Sequence, residues 1–352
     1  MSSQSIPTDF MSNGAPVDPE VAAVVAASTQ PDHVDDHDHH DEDEHAHLPV
    51  SLGTRIAALS AVIVPFAGFV AAIVFLWGRG FDLLHGGLLM GMYIITAIGI
   101  TVGYHRYFTH RSFQTPRFVQ AFFAIAGAMA LEGPVLKWVA MHRCHHQHSD
   151  KPGDPHSPHE HGEGVKGVLQ GFWHAHVGWV FSGDPKNLYR YVPDLSGDRM
   201  LQVLSKLWIL WVVLGLIIPA VIGGLLTMSW KGALLGFIWG GLARIFLVHH
   251  VTWSVNSVCH IWGTRPFRSA DHSRNNFLFG LLAMGEGWHN NHHAFPTSAR
   301  HGLRWWEFDI SYIIIRAMSM VGLAWDIKIP TQARLQSKLA NAGQSSATTT
   351  TN

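Results

Sequence analysis

The chain has 352 residues, 47% of them hydrophobic and only 14% charged, where an ordinary soluble domain carries about 25% charged residues. That balance excludes a water-soluble globular protein, and with a formal net charge of −1 no nucleic-acid partner is expected. Residues 1–50 hold 11 of the 25 acidic residues and none of the 24 basic ones, so residues 51–352 carry a surplus of ten positive charges, which suits anionic lipid, an acidic redox partner or an anionic substrate headgroup.

Residues 1–50 read as a disordered acidic tail that ends in the His-rich run DHVDDHDHHDEDEHAH, a composition that could bind metal loosely but fixes no geometry. No secretory leader is visible in it. A membrane domain is expected over 51–330. Residues 56–77 run uncharged for 22 positions, enough to cross a hydrocarbon core of about 30 Å. Residues 83–104 return as the second arm of a hairpin, and 207–228 with 232–251 repeat the pattern around a brief SWK turn. The apolar stretch 118–136 contains Glu132, Gly133 and Pro134. It is expected to lie in the interface, because a crossing there would place the histidines after it on the opposite face from those before it. Residues 331–352 read as a second disordered tail. Most Lys and Arg fall in the N-terminal flank, the loop between spans two and three, and the segment after span four. This implies a multi-pass protein with both termini and its polar mass on the cytoplasmic side of a bacterial inner membrane or its equivalent.

Three histidine clusters sit beside these segments: HRYFTH (His105, His110), HRCHHQH (His142, His145, His146) and HNNHH (His289, His292, His293). Neutral imidazole suits iron, zinc and copper, and eight in three groups exceed what one ion can use. In HxxHH the histidines fall at i, i+3 and i+4, so one helical turn presents three imidazoles on one face. A spacing of five in HRYFTH is not one helical face, so a kink or helix end is expected at His110. Asn256 and His260 of NSVCH are four apart, just after span four, and Asn256 could hold a water on a metal. A single such cluster is weak among 26 histidines. Three at the same ends of their spans point to a metal centre at the membrane edge.

HRYFTH, HRCHHQHSD, GDPHSP, HVGW, NSVCH and EGWHNNHH, in this order and followed by GLAWDIKIP, closely resemble the membrane-bound acyl-CoA desaturases of the stearoyl-CoA delta-9 type, over about residues 55–330. The resemblance implies an all-α membrane protein, with four transmembrane helices under a cytosolic helical cap that holds a di-iron site. It assigns the two irons to His105, His110, His142, His145, His146, His260, His289, His292 and His293, with Asn256 on a bound water. Tyr93 takes the position that closes the substrate tunnel in that family.

The chemistry agrees with the residues. Dehydrogenating an unactivated methylene pair needs an oxidant made from O2, which redox-inactive zinc could not supply; a dizinc hydrolase is the alternative for the same imidazoles. Asp154, His156, Glu286 and Trp288 are candidates for orienting the imidazoles, although Asp154 in its GDP segment also reads as a turn residue. Arg143, Lys151, Lys186, Arg190 and Arg268 are candidates for a headgroup site. HPGG, the mark of a fused cytochrome b5, is absent and two cysteines are too few for an iron–sulfur cluster. Electrons are therefore expected from a separate ferredoxin or cytochrome b5-like donor with its reductase. The favoured reading is a desaturase that places a cis delta-9 double bond in a saturated fatty acyl-CoA. An acyl-lipid desaturase and a membrane di-iron hydroxylase are the alternatives, and a metal transporter or store would need ligands along the spans.

Overall fold

The computed structural model describes residues 47–340 except position 79, with backbone only at 75 and 76. Among these residues there are helices and isolated bridges but no strand. Four helices are long and apolar enough to cross a membrane: span one, Leu52–Val74; span two, Leu83–Thr109; span three, Trp208–Thr227; and span four, Trp230–Ile261. Three of them start on a polar cap that answers an orphan backbone N–H, with Ser51 Oγ accepting from Thr54 N, Asp82 Oδ1 from His85 N and Ser229 Oγ from Gly232 N. Their outer faces are apolar and open, as at Ile56, Leu59, Leu83, Leu225 and Leu226, a girdle that only lipid would cover.

Two spans run longer than expected. Span two continues through His105 because Gly99–Thr109 is π-helical, and span four continues well past 251, so Asn256 and His260 lie on its last turns rather than after it. Among the described residues the cap includes α1 Arg117–Ala128, α2 Val135–His148, α3 Gly164–His176, α4 Phe277–Leu282, α5 His289–Ala294, α6 Ile310–Met320 and α7 Gln332–Lys338.

The stretch expected as one interfacial helix over 118–136 is broken. α1 stops at Ala128, and α2 starts only after a turn that holds Leu131 at φ 63° and Gly133 at φ 100° before Pro134. Proline cannot continue a helix but starts one well, which is why α2 begins there. α1 packs tightly on span two: a Cβ on Gly99 would stand 2.1 Å from the Gly127 nitrogen. Phe108, Phe113 and Phe123 join Val135 and Val139 in the main core, so the end of span two and α2 are seated on one apolar cluster.

Span four clamps the turn between α1 and α2. Arg244, fully buried, donates to the carbonyls of Gly240, Gly215 and Met129, while His249 Nε2 lies 3.0 Å from the Ala130 carbonyl. Carbonyl partners are what a buried intramembrane cation requires.

The expected tails need one correction. Residues 331–340 are folded: α7 lies on the segment of the third histidine cluster, Lys338 Nζ donates to the Ala294 carbonyl at 2.7 Å, and Leu335 and Leu339 pack with Phe267 and Phe295. These two leucines supply the apolar contact that the polar composition of the tail hides. His47 and Leu48 are also tied down, to Gly183 and Asp184. The acidic run before them and residues 341–352 lie outside the described residues.

Candidate metal centre

The histidines converge as two groups. His105, His110, His142, His146 and His292 each offer a nitrogen within 4.8 Å of the others, and His145, His260, His289 and His293 do the same. These are the nine imidazoles expected. The π-helical end of span two explains the first pair. Its backbone bonds run from i to i−5, as from His110 N to the His105 carbonyl, so residues five apart become neighbours and the two rings stand 4.9 Å apart. α2 then supplies His142 and His146 to one group and His145 to the other, and α5 divides His292 from His289 and His293 in the same way. Span four brings His260, and half-buried Asn256 sits one turn before it on the same helix.

Within each group Nε2 atoms face one another. His292 Nε2 lies 3.0 Å from that of His105 and 2.9 Å from that of His146, and His289 Nε2 lies 3.0 Å from that of His260 and 3.1 Å from that of His293. Two imidazoles bound side by side to one ion at about 2.1 Å would stand about 3 Å apart, so the spacing fits a cation between them. Burial first, and then mutual repulsion, hold His110, His142, His146, His289 and His292 well below the ordinary histidine range, which keeps their nitrogens neutral and able to ligate.

Carboxylates fix the tautomers. Nδ1 of His105 meets Glu286 at 2.6 Å, His145 meets Asp154 at 2.9 Å, His260 meets Asp150 at 2.8 Å and His293 meets Asp271 at 2.7 Å. A carboxylate can only accept, so Nδ1 carries the proton and Nε2 keeps its lone pair for a metal. Burial would raise the three aspartates and Glu286, but the facing histidines, and for Glu286 chiefly Arg106, outweigh it and hold all four well below the usual carboxylate range. Their four negative charges match two divalent cations.

A sequence model of the fatty acid desaturases matches residues 82–318, a range that takes in all nine histidines. The chain belongs to the fatty acid desaturase family. It is 44% identical to a hex-5-enoyl-[acyl-carrier protein] acetylenase of Moorena producens over 78% of this chain and 87% of that protein. It is 41% identical to an sn-1 stearoyl-lipid 9-desaturase of Synechocystis over 72% of this chain and 74% of the relative. With an acyl-CoA C20 delta5-desaturase of Anemone leveillei the identity is 38%, over 68% and 73%. The desaturase is thus an oxidoreductase of acyl chains whose relatives are named for three different acyl carriers.

The expected outer residues of the desaturase fall into distinct places. Asp154 holds its turn, with its N–H donating to the Lys151 carbonyl, and also holds His145; both readings of it apply. His156 stacks on His145 with ring centroids 4.3 Å apart. Trp288 donates to the Phe308 carbonyl and packs on Trp306, bracing the start of α5. Arg143 is spent on the carbonyls of Phe108, Thr109 and Tyr191 and on Asp194, so it is withdrawn as a headgroup ligand. Sequence reasoning missed Asp150, Asp271, His301, and the Arg106–Asp309 pair at 3.0 Å behind Glu286. Asp150 stood within the quoted HRCHHQHSD, whereas Asp271 and His301 lie in irregular segments without periodicity to mark them.

Glu132 adds an ionisable group one indole away from the centre. It accepts from Trp138 Nε1 at 3.0 Å, and that indole stacks on His142 at 5.0 Å. Burial pushes its carboxyl up to about 7. A raised acid loses folded-state stability as pH rises from the ordinary carboxylate value to about 7 and loses no more above it. Glu132→Gln should therefore gain thermal stability relative to the parent between pH 5.5 and 8. A melting-temperature difference that stays constant over that range would refute the assignment.

Proposed function

We propose that this desaturase uses O2 to introduce a cis double bond, at delta-9, into a saturated fatty acyl-CoA, with two irons held by the two imidazole groups. The observation that carries the reading is the division of nine buried or half-buried histidines into groups of five and four with no carboxylate in either. Nitrogen-only ligation of two ions, backed by carboxylates that touch only the outer nitrogens, suits a redox pair. The irons would supply the oxidising power that an unactivated methylene pair demands. The chain's own residues present the lone pairs, fix the tautomers and, through the apolar spans, keep water from the acyl chain. The two substrate hydrogens, two further electrons from a ferredoxin or cytochrome b5-like carrier with its reductase, and two protons from water together would reduce O2 to two waters.

By the positive-inside reading the centre and both termini face the cytoplasm, and the carrier docks on the basic cap; turnover at limiting carrier should then fall with rising salt. Asn256, one turn before His260 on the same helix, would hold a water on the metal of the four-imidazole group.

The test is expression in a desaturase-deficient host with double-bond positions mapped in its lipids, followed by assays of purified protein on stearoyl-CoA and on a stearoyl glycerolipid. Delta-9 alkenes formed from the CoA ester support the proposal. Alkenes formed only from the glycerolipid favour the acyl-lipid reading, to which the Synechocystis relative lends weight. Hydroxy acids in place of alkenes would overturn desaturation.

Tyr93 in span two donates to the Leu282 carbonyl at 2.7 Å and so ties the span to the end of α4. If this bond closes the far end of the acyl tunnel, Tyr93→Ala should shift products to longer chains. An unchanged chain-length profile would reject that role.

A further inference from the structure

A further buried histidine stands behind the five-imidazole group. The His301 side chain has no exposed surface, and its ring packs 4.5 Å from that of His292 and 5.4 Å from that of His105. Its Nδ1 lies 3.2 Å from Glu286 Oε2, the oxygen that also meets His105 Nδ1. The backbone pins it in place, because Asp309 Oδ2 accepts from the His301 N–H and Asn291, between two ligands of α5, donates to its carbonyl. Yet among the described residues its Nε2 has no hydrogen-bond partner, and Nδ1 of neighbouring His292 is buried and equally unanswered.

Buried imidazole nitrogens without partners are costly. Hydrophobic packing alone would be served better by Leu or Phe. The four histidines with a carboxylate on Nδ1 show how this protein fixes a ligand ring, and His292 has no carboxylate of its own. His301 fills the space beside it.

We propose that His301 is a positioning residue for the five-imidazole group: it shares Glu286 with His105, backs the ring of His292, and so sets how both present Nε2. This rests on the di-iron reading above. The role belongs to the whole side chain, one face on His292 and one nitrogen at Glu286, which distinguishes it from a ligand and from filler.

The experiment uses full-length purified chain loaded with ferrous 57Fe and compares the parent with His301→Phe, which keeps volume without nitrogen, and His301→Gln, which keeps a donor near Glu286. Iron per chain is measured after dialysis against a graded chelator, together with Mössbauer spectra and melting temperature. His301→Phe should release one of its two irons at chelator strength about 10- to 100-fold lower than the parent, the range seen when outer partners of metal ligands are removed. The spectrum of the other iron should be unaltered, and His301→Gln should restore most of the retention. Chelator curves and spectra of His301→Phe identical to the parent would overturn the proposal. Should His301→Phe fail to fold, His301→Gln decides: a parent-like spectrum supports positioning, and loss of both irons equally overturns it. A parent that binds no iron would instead sink the di-iron reading itself.

Discussion

Replacing His292 with alanine is expected to abolish desaturation and to cut the iron content of the purified chain from two ions to about one. His292 is the hub of its group: its Nε2 is in contact with those of His105 and His146, and its ring lies 4.7 Å from that of His110. Four imidazoles would remain around a hole. The weakening should exceed the about 100-fold upper range for outer partners, because a ligand itself is lost. His145, His260, His289 and His293 keep their own contacts, so the second iron should stay. Elemental analysis checks this directly, with His161→Ala as a control that leaves both groups intact. Two irons retained in His292→Ala would mean that the five-imidazole group is not a metal site.

The second large effect should come from Arg106→Leu, and it concerns folding. Arg106 is fully buried and joins Glu286, Asp309 and the carbonyls of Ala299 and Thr101. Without it two buried carboxylates lose their cation, and breaking a buried pair in this way typically costs about 3–5 kcal/mol. The expected result is a steep fall in melting temperature or in recoverable folded protein, with iron loss following because Glu286 no longer holds its place against His105. Arg117→Ala, at an Arg117–Asp198 pair whose arginine is 58% exposed, should change little. An Arg106→Leu protein that melts with the parent would show that the buried network is not needed for the fold.

The fold and the converging histidines were legible because both follow simple periods. Uncharged runs long enough to span a bilayer announce the bundle, and the i, i+3, i+4 spacings of α2 and α5 announce three imidazoles on one face. The pairing of His105 with His110 was not legible, since it depends on a π-helical stretch that an α-helical period cannot foresee. Nor was the break at Leu131, where a leucine adopts positive φ. Carboxylates such as Asp271 reach their histidines from irregular chain, so distance in space is their only mark. α7 escaped notice because two leucines in a polar tail carry its docking.

The interleaving of the ligands has a consequence for biogenesis. The four-imidazole group draws on His145 near mid-chain and on His260, His289 and His293 far downstream, while α2 and α5 each serve both groups. On the di-iron reading neither iron could be secured until the ribosome has released nearly the whole polypeptide, and the nascent protein would meanwhile shelter Asp150, Asp154 and Asp271, which await their counter-charge, whereas Glu286 already has Arg106. Iron supply late in membrane insertion, rather than translation itself, should govern how much working protein a cell accumulates.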